Sequence, residues 1–222
     1  MKISGKLVLA AIVIVAIAGW VFADRSVNGS GSIEDLLSGN MRCVEGKFLQ
    51  KQSGDDYRKE LTKGQKPHAV VVTCSDSRVS PEIVFDQDLG HIFVIRTAGN
   101  VVDSIEIGSI EYAVEHLHAP LIVIMGHESC GAVKAAIEHK GKPEGNIGEI
   151  IKKILPAVKQ AKASHKAGDD IAYSVTVGNI RNVAKEIKAK SKIISREAGE
   201  GKVQIIGTYY SISSGKIESI KL

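Results

Sequence analysis

The sequence predicts an α/β fold in which short buried strands alternate with amphipathic helices. Two apolar runs, residues 69–73 and 121–125, are rich in β-branched side chains and are bounded by Pro or Gly, as fully buried strands are. Apolar residues also recur at helical spacing across residues 104–118. If the two strands are parallel neighbours, both end at the same edge of the sheet, where open α/β sheets bind their ligands.

Length and composition indicate one globular domain with appendages. The chain has 222 residues, 44% hydrophobic and 24% charged, which is enough to bury a substantial core. The net charge of +4 is modest, and the N-terminal Lys2 and Lys6 supply half of it. Aromatic residues make up only 5%, and no basic stripe with interleaved aromatics occurs, so we expect no nucleic acid partner.

Residues 1–23 form a leader that is separate from the domain. Lys2 and Lys6 precede an apolar stretch that ends at Ala23, and Val21 and Ala23 are small or tolerated residues before a possible cleavage site. We predict a signal peptide for an exported protein, periplasmic if the source is a Gram-negative bacterium. The alternative is an uncleaved membrane anchor with the domain facing outside, because the stretch reaches the lower length limit for a membrane span.

Residues 24–32 are rich in Gly and Ser and are predicted to be a linker, which leaves 33–222 as the domain. Ser32 and Asp35 form a helix-start pattern, so a helix is expected over 33–48. Residues 52–66 are polar and predict a loop or a helix end. The later elements are, in chain order, a helix over 81–87 opened by Pro81, a strand over 91–96, a loop over 97–100, helices over 104–118, 132–137, 146–167 and 179–194, a strand over 202–210 and a hairpin partner over 215–220. We expect the lysine-rich helices 146–167 and 179–194 to lie at the solvated surface rather than bind a membrane.

Three candidate metal ligands follow the two buried strands. Cys74 ends the first run, and His127 follows the second run after Gly126, which we predict to form a turn. Cys130 comes three residues later, at the start of a helical pattern, where the partial positive charge of a helix N-terminus favours the thiolate. Two thiolates and one imidazole suit Zn²⁺, and three protein ligands with one open position are typical of catalytic rather than structural zinc.

Asp76 and Arg78 lie two residues apart, just after Cys74, and are predicted to form an ion pair beside the open position. Glu128 lies between two candidate ligands; we expect it to face solvent or to cap the following helix. Taken alone, either cysteine would be interpreted as an apolar packing residue of the core, and His127 as a hydrogen-bonded core histidine. The coincidence of all three at a strand end and a helix start argues for the metal site.

The motifs CSDSRV (from Cys74), RTAGN (from Arg96) and GHESCGAV (from Gly126), in this order, resemble the β-class carbonic anhydrases. The resemblance extends from about Ile33 to the C-terminus. It implies a mostly parallel sheet of four or five strands flanked by helices, and zinc on Cys74, His127 and Cys130. It also implies an Asp76–Arg78 dyad beside the metal-bound water, and a homodimer or higher homo-oligomer with active sites near the subunit interface.

The expected activity is the reversible hydration of carbon dioxide to bicarbonate and a proton, which is a lyase reaction. Zinc makes hydroxide available near neutral pH, and this hydroxide attacks carbon dioxide in a small apolar pocket. Asp76 would orient the hydroxide, and Arg78 would keep Asp76 ionised. Gln87 and Gly99 are weaker candidates for lining the substrate pocket.

Some members of the family have a closed state, in which the residue matching Asp76 leaves its arginine and becomes the fourth zinc ligand. That subtype carries a regulatory bicarbonate site that includes a tryptophan. Trp20, in the leader, is the only tryptophan in this chain, so we expect the open form.

Two alternatives remain at this stage. One is a hydrolase for a carbon dioxide analogue, such as carbonyl sulfide or carbon disulfide, which would use the same zinc chemistry with a different pocket. The other is a zinc-binding envelope protein without activity. The Asp76–Arg78 pair argues against the second alternative, because a metal clip has no need for it.

Overall fold

The computed structural model describes residues 32–49, 51, 54–141 and 145–222. The predicted leader, residues 1–23, and all of the predicted linker except Ser32 lie outside these ranges, so both stay predictions. Within the described ranges, no helix combines the length and apolar character needed to cross a bilayer.

The described residues form eight α-helices and five strands. In chain order they are α1 (Ile33–Val44), α2 (Asp55–Leu61), β1 (Ala69–Cys74), α3 (Pro81–Val84), β2 (Ile92–Thr97), α4 (Ser104–Glu115), β3 (Leu121–His127), α5 (Gly131–Glu138), α6 (Gly145–Ser164), α7 (Ile171–Lys190), α8 (Lys192–Gly199), β4 (Gln204–Tyr210) and β5 (Ile217–Ile220). A 3₁₀ turn over Ala98–Asn100 follows β2.

The five strands form one sheet in the order β2-β1-β3-β4-β5. β1 pairs in parallel with β2 and β3, β3 pairs in parallel with β4, and only β5 runs antiparallel. This confirms the predicted mostly parallel sheet and its C-terminal hairpin. Thr73 of β1 pairs with Met125 of β3, so the polar residues after both strands emerge at the same carboxyl edge.

The core lies on both faces of this sheet because successive side chains in a strand point to opposite faces. Val70 and Val72 lie on the face of the sheet that α4, α7 and α8 cover, and they pack against apolar residues of these helices. Val71, between them, packs on the opposite side with Leu36 of α1 and Phe85 after α3. A third apolar cluster, formed mainly by α5 and α6, includes Cys74 and Cys130 and therefore borders the candidate metal site.

The N-terminal helix is anchored by Asp86, whose side chain is fully buried. The carboxylate accepts hydrogen bonds from Arg42 Nε at 2.6 Å, Lys51 Nζ at 2.6 Å and the backbone N–H of Leu49 at 3.2 Å. Burial opposes ionisation of Asp86, but the bonds from Lys51 and Arg42 outweigh it and hold the pKa below its ordinary value.

The predicted Ser32 cap of α1 is confirmed, since the Ser32 side chain accepts a hydrogen bond from the N–H of Asp35.

Several predicted boundaries were wrong. α1 ends at Val44 rather than at residue 48, and α3 ends at Val84 because Asp86 takes a left-handed conformation with φ 49°. The predicted helix over 179–194 begins at Ile171, capped by Asp170, and a separate helix follows Ser191. This helix, α7, is a core element rather than a surface one. Polar Thr176 and Asn179 on its buried face interrupt the apolar pattern that would have identified it.

The predicted turn at Gly126 was wrong, because this residue continues strand β3. The pairing of β3 with β4 extends through His127, which pairs with Tyr210. A side chain at this position would collide with α7, because a Cβ would lie 2.7 Å from Thr176 Cγ2 and 2.9 Å from Ile180 Cδ1. The glycine therefore allows α7 to cross the sheet directly beside the candidate ligand.

We expect Gly126→Ala to destabilise the fold by about 1–3 kcal/mol, because the added methyl group overpacks the contact between β3 and α7. The measurement is urea unfolding followed by circular dichroism. Gly108→Ala is the matched control, because nothing lies within 4 Å of a Cβ at this exposed helical position. Alanine there should stabilise the fold by about 0.5–1 kcal/mol relative to glycine. Equal stability of the two variants would contradict the described packing.

Candidate metal centre

Cys74, His127 and Cys130 come together from three different elements. Cys74 ends β1, His127 ends β3, and Cys130 is the N-cap residue of α5. All three are buried, and their candidate ligand atoms lie within 4.8 Å of one another. The two sulfurs are 4.0 Å apart and both cysteines are free, so the pair is not a disulfide.

The His127 ring is oriented by its own loop. Its Nδ1 lies 2.8 Å from the carbonyl oxygen of Glu128, which can only accept, so Nδ1 carries the proton and Nε2 keeps its lone pair. Nε2 is buried and has no hydrogen-bond partner among the described residues. A buried polar atom without a partner is costly, and a metal ion between Nε2 and the two sulfurs would satisfy it. The donor set therefore fits a metal ion.

The two thiols compete for one proton. A hydrogen bond from Cys130, aided by the Gly99 N–H, lowers the pKa of Cys74 to about 4 despite its burial. The same hydrogen bond, burial and the charge on Cys74 raise the pKa of Cys130, and the N–H groups at the start of α5 oppose this only in part. The predicted effect of the helix N-terminus is therefore present but outweighed. A divalent ion would reverse the balance by replacing the shared proton.

Asp76 and Arg78 form a two-pronged ion pair beside this cluster. Arg78 donates from Nε to Asp76 Oδ1 at 2.9 Å and from Nη2 to Oδ2 at 2.8 Å. These hydrogen bonds, with the Arg78 backbone N–H, hold the pKa of Asp76 far below its ordinary value despite partial burial. Asp76 Oδ2 is 3.9 Å from His127 Nε2. The carboxylate thus borders the ligand cluster while it stays bound to Arg78.

Backbone contacts fix the loops that carry these residues. Arg96, from the end of β2, donates to the carbonyl oxygens of Cys74 and Asp76 at 3.0 and 2.7 Å. Arg78 Nη2 also donates to the carbonyl oxygen of Ser129, at 3.2 Å, and so joins the two loops. The first loop therefore cannot shift without breaking its contacts to β2 and to the second loop.

The two weaker pocket candidates have different surroundings. Gly99 adjoins the cluster directly: its N–H donates to Cys74 Sγ at 3.2 Å, and its φ of 70° lies in the left-handed region that favours glycine. Gln87 is buried with both ends of its amide engaged, by His68 Nε2 at 2.9 Å and by the carbonyl oxygen of Phe85 at 2.8 Å. A substrate-lining role for either residue stays a prediction.

Glu128 holds the ligand loop, a role that sequence reasoning missed. The predicted helix cap is wrong: the carboxylate of the partly exposed Glu128 does not cap α5 but accepts hydrogen bonds from Ser211 Oγ, Ser213 N and Ser213 Oγ, each at 2.9 Å. Its N–H donates to the carbonyl oxygen of Tyr210. These bonds secure a turn in which Ser129 has a left-handed φ of 54°, which is unfavourable for a residue other than glycine. No local pattern signals a contact across more than 80 residues of sequence.

Residues 69–217 match the sequence profile of the carbonic anhydrase family. A carbonic anhydrase of Mycolicibacterium smegmatis is 40% identical over 186 residues, which cover 82% of this chain and 89% of that protein. The solved structure of the β-carbonic anhydrase CcaA is similar, with a TM-score of 0.68 at 26% identity, covering 85% of this chain and 95% of that one. A Coccomyxa β-carbonic anhydrase in complex with acetazolamide has the same TM-score at 25% identity, with coverages of 85% and 86%. The matched residues include all three candidate ligands.

We expect Glu128→Ala to release a bound divalent ion faster and to lower metal affinity about 10-fold, because the loop that orients His127 loses its side-chain anchor. The measurement is transfer of Zn²⁺ from the loaded protein to a chromophoric chelator. Ser214→Ala is the matched control, since its hydroxyl oxygen accepts from the N–H of Lys216 in the same turn rather than bonding to Glu128. Identical release rates in both variants would show that Glu128 does not hold the loop.

Proposed function

Because this chain belongs to the β-carbonic anhydrase family and is a carbonic anhydrase, we propose that it hydrates carbon dioxide reversibly at a zinc ion held by Cys74, His127 and Cys130. One observation carries the proposal: a buried imidazole nitrogen that has no hydrogen-bond partner within the described part of the chain faces two free sulfurs, beside a carboxylate that an arginine keeps ionised. Two sulfurs and one imidazole suit zinc, and three protein ligands leave a position for water.

A zinc ion bound there would lower the pKa of a water molecule toward about 7 and so supply a hydroxide nucleophile at neutral pH. We assign Asp76 the role of orienting that nucleophile. The strongly depressed pKa of Asp76 keeps it a pure hydrogen-bond acceptor, so it can hold the proton of the attacking oxygen and leave a lone pair directed at the carbon.

Arg78 supports Asp76 in two ways. Its paired hydrogen bonds fix the plane of the carboxylate, and its charge stabilises the ionised form. The same guanidinium would compete with a bound metal for the carboxylate, which supports our proposal that the site works in the open form. Gly99 and Gln87 remain our candidates for the walls of the carbon dioxide pocket.

We also propose that the protein works as a homodimer or a higher homo-oligomer. Five large apolar side chains are exposed on α1, on the segment after it, and on α3 and its following loop: Met41, Phe48, Leu49, Ile83 and Leu89. Asp86 joins these segments through its bonds to Arg42, Leu49 and Lys51. An exposed apolar surface of this kind marks a protein interface. In the family that this chain resembles, the N-terminal helix packs against the partner subunit, which supports the proposal.

The leader motivates a proposal for location: the domain works outside the cytoplasm, exported or anchored by residues 1–23. We expect cell fractionation of a Gram-negative host that expresses the full chain to recover the domain in the periplasm, with an N-terminus near Asp24. Recovery in the membrane fraction with an intact N-terminus would support the anchor instead. Recovery in the cytoplasm would contradict both forms.

We expect Asp76→Asn to retain zinc and to lose carbon dioxide hydration by about 10²-fold or more, because an amide no longer acts as a pure acceptor for the nucleophile's proton. The measurement is stopped-flow hydration, with zinc content determined on the same sample. Glu82→Gln is the matched control, since this carboxylate bonds only to Ser80 among the contacts described.

Full hydration activity in Asp76→Asn would remove the assigned mechanism. Wild-type protein that is loaded with zinc but does not hydrate carbon dioxide would contradict the proposed function itself. Parallel assays with carbonyl sulfide and carbon disulfide separate the remaining enzymatic alternative, because faster turnover of either gas would assign the pocket to the analogue.

A further inference from the structure

Helix α7 directs one buried amide at the loop beside the metal centre. Asn179 is only 1% exposed, and its Nδ2 donates to the carbonyl oxygen of Gly99 at 2.9 Å. The two residues lie 80 positions apart in sequence. Asn179 interrupts the apolar face of α7, and an asparagine in such a place costs stability unless its polar atoms are used.

Gly99 connects Asn179 to a candidate metal ligand, because it hydrogen-bonds to both. Its N–H donates to Cys74 Sγ at 3.2 Å, within the buried cluster. Its left-handed backbone, with φ 70°, is one of several conformations open to a glycine. The intrinsic preferences of the residue therefore do not determine its backbone conformation. The loop also leaves no room for a side chain, because a Cβ at Gly99 would lie 2.8 Å from Ile154 Cδ1. The Asn179 bond therefore selects the one conformation that points the N–H at the sulfur.

A hydrogen bond to a metal-bound thiolate has a definite electronic effect. The N–H withdraws electron density from the sulfur, so the thiolate donates less charge to the metal and the metal remains a stronger Lewis acid. The sulfur's surroundings thus set how strongly the site polarises what it binds.

We propose that Asn179 is a positioning residue that acts through Gly99 to hold an N–H···S hydrogen bond on the Cys74 thiolate and so tune the bound metal. The inference rests on the proposed zinc site, and it adds a contribution from α7 to a centre otherwise built from β1, β3 and α5.

The test uses Co²⁺ in place of zinc, because cobalt–thiolate charge-transfer absorption reports sulfur donation directly. In Asn179→Ala we expect this band to move to lower energy, since a sulfur without the N–H bond is a better donor. We also expect metal affinity to fall about 10-fold, because the Cys74 ligand loses a contact that orients it and this outweighs its stronger donation. Asn179→Leu, which keeps the number and branching of the side-chain heavy atoms but has no polar atom, should give the same shift and covers the case in which the alanine variant does not fold.

Asn182→Ala is the matched control. Asn182 lies on the same helix, and its buried Nδ2 has no hydrogen-bond partner among the described residues, so its removal should leave the spectrum unchanged. A second readout needs no metal: the amide proton of Gly99 should exchange with solvent faster in both Asn179 variants than in Asn182→Ala.

Folded Asn179 variants with a wild-type charge-transfer band and wild-type exchange at Gly99 would overturn the inference. Its failure is distinct from failure of the proposed function, which shows instead as a metal-loaded wild-type protein that does not hydrate carbon dioxide.

Discussion

The parallel pairing of β1 with β3 is the constraint on which the rest of the site depends. It brings the last residues of the two strands, Cys74 and His127, which lie 53 positions apart in sequence, to one edge of the sheet. Because both strands are buried on both faces, a one-residue shift in register would exchange the side chains that pack on the two faces and disrupt both, so the position of Cys74 relative to His127 is set by the core. The metal centre takes its precision from this packing rather than from the loops themselves.

Around that frame, each candidate ligand is oriented by a contact from a different element. His127 is held through the Glu128 carbonyl, Cys74 through the N–H of Gly99, and Cys130 by its place at the start of α5. Arg78 and Arg96 then tie the Cys74 loop to its neighbours through carbonyl oxygens. Such a shell suits an enzyme centre, because ligands that are already oriented need little rearrangement when the metal binds or the reaction proceeds.

The sequence was informative where the signal is local. The runs at β1 and β3 and the helix start at Cys130 follow from hydrophobic pattern and spacing, and they were enough to select the three candidate ligands that the structure brings together. Contacts between distant segments carry no such pattern, so Glu128 and Asn179 could not be assigned their partners in advance. Gly126 shows the same limit: a glycine that makes room for a crossing helix and one that makes a turn look alike in sequence.

Zinc K-edge X-ray absorption on the metal-loaded protein tests the central claim most directly, since it counts the atoms around the ion. We expect two sulfur neighbours at about 2.3 Å and two nitrogen or oxygen neighbours at about 2.0–2.1 Å. A shell without sulfur, or one with a single sulfur, would contradict a centre built on Cys74, His127 and Cys130.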